Sequence, residues 1–318
     1  MARRLKVGAA HVAPVFMNAV ESAEKAATWI RKAGADGVSL LVFPEVFLPG
    51  FPYWINCYPP IAQARLNRDY QDQSVEAEGP ELAVIQEAAR EAAVSVIMGA
   101  SERRRGGRTC YNSSFFISDE GAMLGVHRKL QPTYAERYIW GQGDGSTLVV
   151  RQMEGVRVGA LACWENTMNL ARQALIEEQE EVHAALWPAL STLAGFEGVA
   201  NSQIEAMMKN HALTGQCFVI AASSPVTAEM IGFMESHLGS QQLLTCGGGW
   251  TAIVHPFTSL LAGPVSGEAE SLVTATIDLD DLKDAKMWLD TTGHYARPEV
   301  LQLVVDRRPR STVRYEEI

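Results

Sequence analysis

Short apolar, β-branched runs alternate with amphipathic stretches along almost the whole chain. This alternation constrains the fold more than any other feature, because it calls for sheets covered by helices in a layered α/β architecture. The strand-like runs are KVGAAHV, SLLVF, VSVIMGA, NSSFFIS, VRVGALAC, AALWP, CFVIAAS, WTAIVHP and SLVTATID. Helical periodicity is clearest over residues 19–32, 80–93, 168–179, 199–215 and 279–289. The stretch FFISDEGAMLGV reads as a hairpin turning at residues 119–121, so the sheets are expected to be mixed and not purely parallel. No long Gly/Ser or Pro-rich linker divides the chain, which predicts a single domain over 1–318 with a C-terminal tail from about residue 290.

Bulk properties narrow the function. A chain of 318 residues with 47% hydrophobic content can bury a sizeable core. The net charge is -10, and the arginine patches at 103–105 and 307–310 are short and sit beside turns, so no nucleic-acid partner is expected. No apolar run reaches the ~18–20 residues of a membrane span, and MARRLKVGAA lacks the apolar core of a signal peptide. A cytoplasmic protein without a membrane partner is expected. The five cysteines are dispersed with no C-x-x-C pair and read as reduced thiols. The seven histidines form no H-x-H or H-E-x-x-H pair, so no metal is expected. GQGDGS lacks the G-x-G-x-x-G spacing and runs into TLVV without opening a helix, so it reads as a loop and not a dinucleotide site.

Three segments bring ionisable groups to comparable breaks after apolar strands. LLVFPEVFLPG carries Glu45, HRKLQPTYAERYIWGQGDG carries Lys129 and Glu136, and RVGALACWE ends on Cys163. A thiol of ordinary pKa, about 8.5, is mostly protonated at neutral pH and needs a base or a cation beside it to act as a nucleophile. Glu45 would draw off the proton, and Lys129 would stabilise negative charge developing on a carbonyl or nitrile. The Trp164 backbone N–H would share that task, while Glu136 would hold Lys129 or shuttle protons. Each residue also has an ordinary reading. A lone cysteine after a strand is commonly a small buried hydrophobe, Glu45 caps a turn, and Glu136 with Arg137 is a surface pair. A cysteine–histidine pair using His127 or His294 is an open alternative. No G-x-S-x-G elbow and no phosphate-cradling G-x-x-x-x-G-K-[ST] is present.

FPEVFLPGFPYW, HRKLQPTYAERYIWGQGDGS and GALACWENTMNLAR resemble, in order, the glutamate, lysine and cysteine segments of the nitrilase (carbon-nitrogen hydrolase) superfamily, and more narrowly its true nitrilase branch. ALWPA, CGGGWTAIVHPFTSLLAGP and GHYARPEVLQL extend the similarity over nearly the whole chain. The resemblance implies a four-layer αββα sandwich with mixed sheets, working as a homodimer or a larger spiral homo-oligomer. It implies Cys163 as nucleophile, Glu45 as general base, Lys129 as transition-state stabiliser and Glu136 as a supporting glutamate. The implied reaction converts a small-molecule nitrile to its acid and ammonia through a thioimidate and a thioester, with no cofactor. An amide, carbamoyl or cyanide substrate would suit the same residues, and a scaffold with a vestigial pocket is the non-enzyme alternative. Tyr53, Trp164 and Trp187 sit beside the motifs and would line an aromatic pocket, or else belong to the core. One departure is Asn169, where nitrilases commonly carry a proline.

Overall fold

The computed structural model describes residues 3–310. Among them, twelve strands follow in the order β1 (Arg4–His11), β2 (Leu40–Val42), β3 (Ser95–Arg103), β4 (Cys110–Ile117), β5 (Met123–Arg128), β6 (Arg151–Met153), β7 (Val156–Ala162), β8 (Val182–Trp187), β9 (Phe218–Ser223), β10 (Thr251–Val254), β11 (Leu260–Val265) and β12 (Ser271–Asp278). The α-helices are α1 (Ala19–Ala35), α2 (Trp54–Cys57), α3 (Ala64–Gln73), α4 (Pro80–Ala92), α5 (Asn169–Glu177), α6 (Ala200–Gly215), α7 (Ala228–Leu238) and α8 (Asp281–Trp288).

The strands form two six-stranded sheets, ordered β12-β1-β2-β3-β4-β5 and β11-β10-β9-β8-β7-β6. In each, three central strands are parallel, an antiparallel strand flanks the first of them, and an antiparallel pair continues from the third. The two sheets therefore repeat one pairing pattern.

The strand period of two sets the layers. Val7, Leu40, Val42, Ile97 and Phe116 of the first sheet meet Val158, Ala160, Val182, Ala184, Leu186 and Ile220 of the second in an inner core. The intervening Leu41, Phe43, Val96 and Met98 pack outward against Ala23, Ala27, Ile30, Ile85 and Ala89 of α1 and α4. On the other side α6 lays Ile204, Met208 and Ala212 over Ala185, Val219 and Ala221, and Ala171, Ala174 and Leu175 of α5 cover Leu161. The result is the expected αββα sandwich. Strands β3, β8 and β9 are buried on both faces, which explains why they read as unbroken apolar runs.

All nine anticipated strand runs and all five anticipated helices are present, with ends shifted by a few residues. The hairpin at 119–121 is the β4–β5 connection. Strands β6 and β11 were not anticipated: both are sheet edges, one with three residues and the other half exposed and carrying Gly263-Pro264. Helix α3 buries only Leu66 and Tyr70 of its ten residues, too thin a stripe to register as a period. It nonetheless braces the chain beyond Glu45, since Tyr70 donates to the Gly50 carbonyl at 2.9 Å and Asn67 accepts from Trp54 Nε1 at 2.7 Å.

That stretch is laid directly onto β3. Leu48 N–H donates to Gly99 O and Ser101 N–H to Leu48 O. A Cβ at Gly99 would stand 2.2 Å from Pro44 O and 2.7 Å from Val46 N, so only glycine permits the close approach. Gly99→Ala is accordingly expected to destabilise the protein by about 1–3 kcal/mol through overpacking and to displace Glu45. A thermal unfolding midpoint equal to wild type would show that the segment has room to move.

Candidate active site

Glu45, Lys129 and Cys163 leave three different strands and meet. Glu45 follows β2, where Phe43 N–H still bonds to Ile97 O, and Lys129 follows β5, its N–H donating to Asn112 O at 2.8 Å. Cys163 follows β7 with φ of 55°, a left-handed conformation that costs a non-glycine residue on the order of 1 kcal/mol. Such strain at a strand end turns the side chain out of the pleat. Glu136 joins from a single 3-10 turn, Tyr134–Tyr138, capped reciprocally by Thr133.

The polar geometry is tight. Lys129 Nζ donates to Glu45 Oε1 at 3.0 Å and to Glu136 Oε2 at 2.7 Å. Asn112 Nδ2 donates to Glu45 Oε1 at 2.6 Å, and Thr133 N–H to Glu136 Oε2 at 2.9 Å. Carboxylate oxygens of Glu45 and Glu136 and the Cys163 sulfur lie within 4.8 Å of one another. Glu45, Lys129 and Cys163 are each 1% exposed. The surface-pair reading of Glu136 thus gives way to a buried contact with Lys129.

Burial controls the protonation states. It pushes the Glu45 carboxyl up to about 7, with the Lys129 ammonium pulling back and the Glu136 charge adding to the rise. Burial and the Glu45 charge hold the Cys163 thiol well above its ordinary range, opposed by Lys129 and by the Trp164 N–H. For Lys129 burial alone would lower the pKa, but the charges of Glu136 and Glu45 outweigh it and keep the ammonium protonated. The resting thiol is therefore protonated. A carboxyl titrating near neutrality is a stronger base than an ordinary carboxylate, which narrows the gap to the thiol and suits it to take that proton and return it. Glu45 Oε2 has no hydrogen-bond partner among the described residues, so it is the oxygen open to proton transfer.

Three further residues shape the site in roles that were not anticipated. Asn112 grips Glu45. His127, considered as a partner for Cys163, turns instead to Glu165, with Nε2 at 3.0 Å from Oε1. The other histidine of that alternative, His294, is exposed beyond α8. Glu165 Oε1 also accepts from Leu130 N–H at 2.7 Å, and Oε2 accepts from Ala162 N–H at 3.0 Å. One carboxylate thereby straps the residue after Lys129 to the residue before Cys163. The signal was the ionisable residue two places beyond the cysteine. Two of its partners, His127 and Leu130, come from β5 and the residues just beyond it in the other sheet, out of the reach of spacing.

The aromatic residues also converge. Tyr53 and Trp187 are fully buried in one cluster with Cys163, and half-buried Trp164 packs against it. Trp164 and Trp187 meet edge to face with ring centroids 6.0 Å apart, and the Tyr53 hydroxyl accepts from Ala189 N–H at 2.8 Å. The GQGDGS segment is a loop, as expected, with Gly143 N–H donating to Lys129 O at 2.8 Å. Sequence spacing offered no metal ligands, yet folding gathers dispersed ones. Glu45, Glu136 and Cys163 form one buried trio, and Glu180, His211 and Cys217 another. In the first, the Lys129 ammonium already provides the cation between the carboxylates. In the second, each Glu180 oxygen is engaged by a histidine.

A family model described as carbon-nitrogen hydrolase matches residues 6–287. The chain belongs to the carbon-nitrogen hydrolase family. A nitrilase of Paraburkholderia phymatum is 36% identical over 311 residues, covering 98% of this chain and 89% of the relative. An aliphatic nitrilase of Rhodococcus rhodochrous is 35% identical over 313 residues, covering 97% and 84%. Among solved structures, a carbon-nitrogen hydrolase of Helicobacter pylori superposes with a TM-score of 0.74 at 18% identity, over 93% of this chain and 97% of that one, a likeness of fold.

Asn169, the departure noted in the cysteine segment, fits the start of its helix. It is the first residue of α5, the position where a proline is well tolerated, and its Oδ1 accepts from Arg172 at 2.7 Å. The Glu165 strap has a testable energy. Burial pushes its carboxyl up, but His127 and the N–H groups of Leu130 and Ala162 bring it below the ordinary 4.5. Burial lowers His127, and Glu165 more than reverses this, leaving it above the ordinary 6.5. The pair's contribution is thus complete between pH 4.5 and 6.5. It is lost as pH falls through the lowered Glu165 value or rises through the raised His127 value. Glu165→Gln is expected to cost about 3 kcal/mol and to flatten this dependence in urea unfolding. An unchanged pH profile would rule the strap out as a stabilising element.

Proposed function

We propose that this carbon-nitrogen hydrolase is a nitrilase, converting an organic nitrile to its carboxylic acid and ammonia, with Cys163 as nucleophile. The observation that carries the reading is the buried Lys129 ammonium held between Glu45 and Glu136, with the Cys163 sulfur within 4.8 Å of both carboxylates. Glu45 takes the thiol proton, and the thiolate adds to the nitrile carbon. The nitrogen gains a proton to give a thioimidate. Water then adds to that carbon, ammonia departs, and a thioester remains. A second water releases the acid and restores the thiol, so two waters enter and no electrons are exchanged. Lys129 stabilises the negative charge at each addition, and Glu136 holds Lys129 in place.

Tyr53, Trp164 and Trp187 line the substrate pocket in this reading and favour aryl or arylaliphatic nitriles. The enzyme is a single domain, acts in the cytoplasm and assembles as a homodimer or larger spiral oligomer. The exposed Leu170 on α5 and Leu213 on α6 support the assembly. No helix among the described residues is long and apolar enough to cross a membrane.

The deciding experiment is ammonia release from aliphatic, aromatic and arylaceto-nitriles and their matched amides, wild type beside Cys163→Ala. Nitrile turnover that vanishes in the variant is expected. Turnover of amides alone would assign an amidase, and full nitrile turnover by Cys163→Ala would remove the nucleophile. The pH dependence has a definite sign. Glu45 must be ionised to accept a proton, and its pKa is raised to about 7, so kcat/KM should fall as pH drops through about 7. Asn112→Leu removes a donor that favours the carboxylate and should move this limb upward by about one pH unit. A downward or absent shift would exclude Glu45 as the base. For the pocket, Trp164→Ala is the cleaner probe, because truncating a fully buried Tyr53 or Trp187 would cost about 3–5 kcal/mol of stability. Trp164→Ala should change the ranking of nitriles more than the unfolding midpoint; the reverse would place Trp164 in the core.

A further inference from the structure

Behind the cysteine strand, between the second sheet and helices α5 and α6, lies a polar chain that the proposed chemistry does not use. Asn166 Nδ2 donates to Cys163 O at 2.9 Å and approaches Leu161 O at 3.4 Å. Its Oδ1 lies 2.9 Å from His183 Nε2, and His183 Nδ1 lies 3.1 Å from Glu180 Oε2. The other Glu180 oxygen meets His211 Nε2, and the two imidazoles stack with centroids 3.8 Å apart. All four side chains are at most 1% exposed. The orientation of Asn166 follows from its partners. Two carbonyls can only accept, so the amide NH₂ faces them, and Oδ1 is left to accept from His183. Room for Glu180 is made by Gly159 on β7, where a Cβ would stand 2.1 Å from Glu180 Oε2.

A peptide unit is planar and trans, so its carbonyl and its N–H point in opposite directions. The Cys163 carbonyl and the Trp164 N–H belong to one such unit. A side chain gripping that carbonyl from behind therefore aims the Trp164 N–H forward. That N–H lies against the Cys163 thiol and favours its ionised form. We propose that Asn166, anchored by His183 and Glu180, is a positioning residue for the reaction, holding the left-handed Cys163 backbone so that the thiol and the Trp164 N–H face the substrate together. The inference rests on Cys163 being the nucleophile. It adds a role for a buried network that touches neither Glu45 nor Lys129.

The test uses the full chain with Asn166→Ala, Asn166→Asp, Asn166→Ser and Cys217→Ala, the last a neighbour of Glu180 and His211 outside the chain to Cys163. Two readouts are taken: the iodoacetamide labelling rate of Cys163 against pH, resolved by peptide mass spectrometry, and kcat and KM for ammonia release. Asn166→Ala and Asn166→Asp should slow labelling and lower kcat by about 10- to 100-fold, with the labelling limb displaced to higher pH and KM little changed. Asp retains size and an acceptor for His183 but offers the carbonyls no donor, so it serves where Ala fails to fold. Asn166→Ser, with one hydroxyl donor, should recover part of the loss. Cys217→Ala should lower the unfolding midpoint without moving the labelling limb. Wild-type labelling rate and pH profile in the Ala and Asp variants would overturn the proposal, as would an equal shift in Cys217→Ala. If the wild type releases no ammonia from any nitrile or amide, the nitrilase reading fails, while the labelling profiles still decide this one.

Discussion

Two buried carboxylates share one buried ammonium, and the rest of the site follows from that imbalance. With Glu45, Glu136 and Lys129 all ionised, the cluster carries one negative charge more than its cation can balance. An unpaired charge in an interior costs several kcal/mol. The protein offsets part of this with neutral donors, Asn112 to Glu45 and the Thr133 N–H to Glu136. The remainder appears as a raised Glu45 pKa, near 7. In the proposed reaction this imbalance would make Glu45 a base in the useful range, because a fully balanced pair would leave a carboxylate too weak to attract a thiol proton.

Such an arrangement needs walls that do not yield. Each Val, Leu, Ile or Phe buried between the sheets contributes about 1.5–3 kcal/mol, and the inner core holds many of them. The two sheets repeat one pairing pattern. Their interface lets strand ends from opposite layers meet, β2 and β5 from one and β7 from the other. The charged groups sit on segments that leave these strands and are pinned at once, at Gly99 for the glutamate and at Asn112 O for the lysine. Close-packed interiors resist small displacements, so the cost of burying the cluster is spread over the sandwich.

The sequence disclosed what is periodic or carried by motif order. The central strands were readable because burial on both faces makes them continuous apolar runs, and α1 and α4 because their small residues recur at helical spacing. Strands β6 and β11 and helix α3 were not, since edges and solvated helices carry little apolar signal. The same division holds in the site. Glu45, Lys129, Glu136 and Cys163 stand at strand ends or in a motif, where a local pattern marks them. Asn112 and His127 act through partners tens of residues away, and only the sheet register brings them together. The alternative of His127 as a partner for Cys163 was open from the sequence. It fails because Glu165, from the other sheet, lies 3.0 Å away.

Three buried carboxylates around the cysteine strand illustrate how environment separates like groups. Burial pushes all three upward, and their partners decide the outcome. Glu180 receives two imidazoles and falls to about 2. Glu165 receives His127 and two backbone N–H groups and also falls below its ordinary value. Glu45 must share Lys129 with Glu136 and rises. Near neutral pH the first two are therefore fixed charges suited to holding backbone and imidazole in place, while the third exchanges protons. Because each fixed carboxylate has its own donors, a substitution in one cluster is expected to leave the others' protonation in place. Structural and titrating roles are thus kept apart although all three residues lie around a single strand.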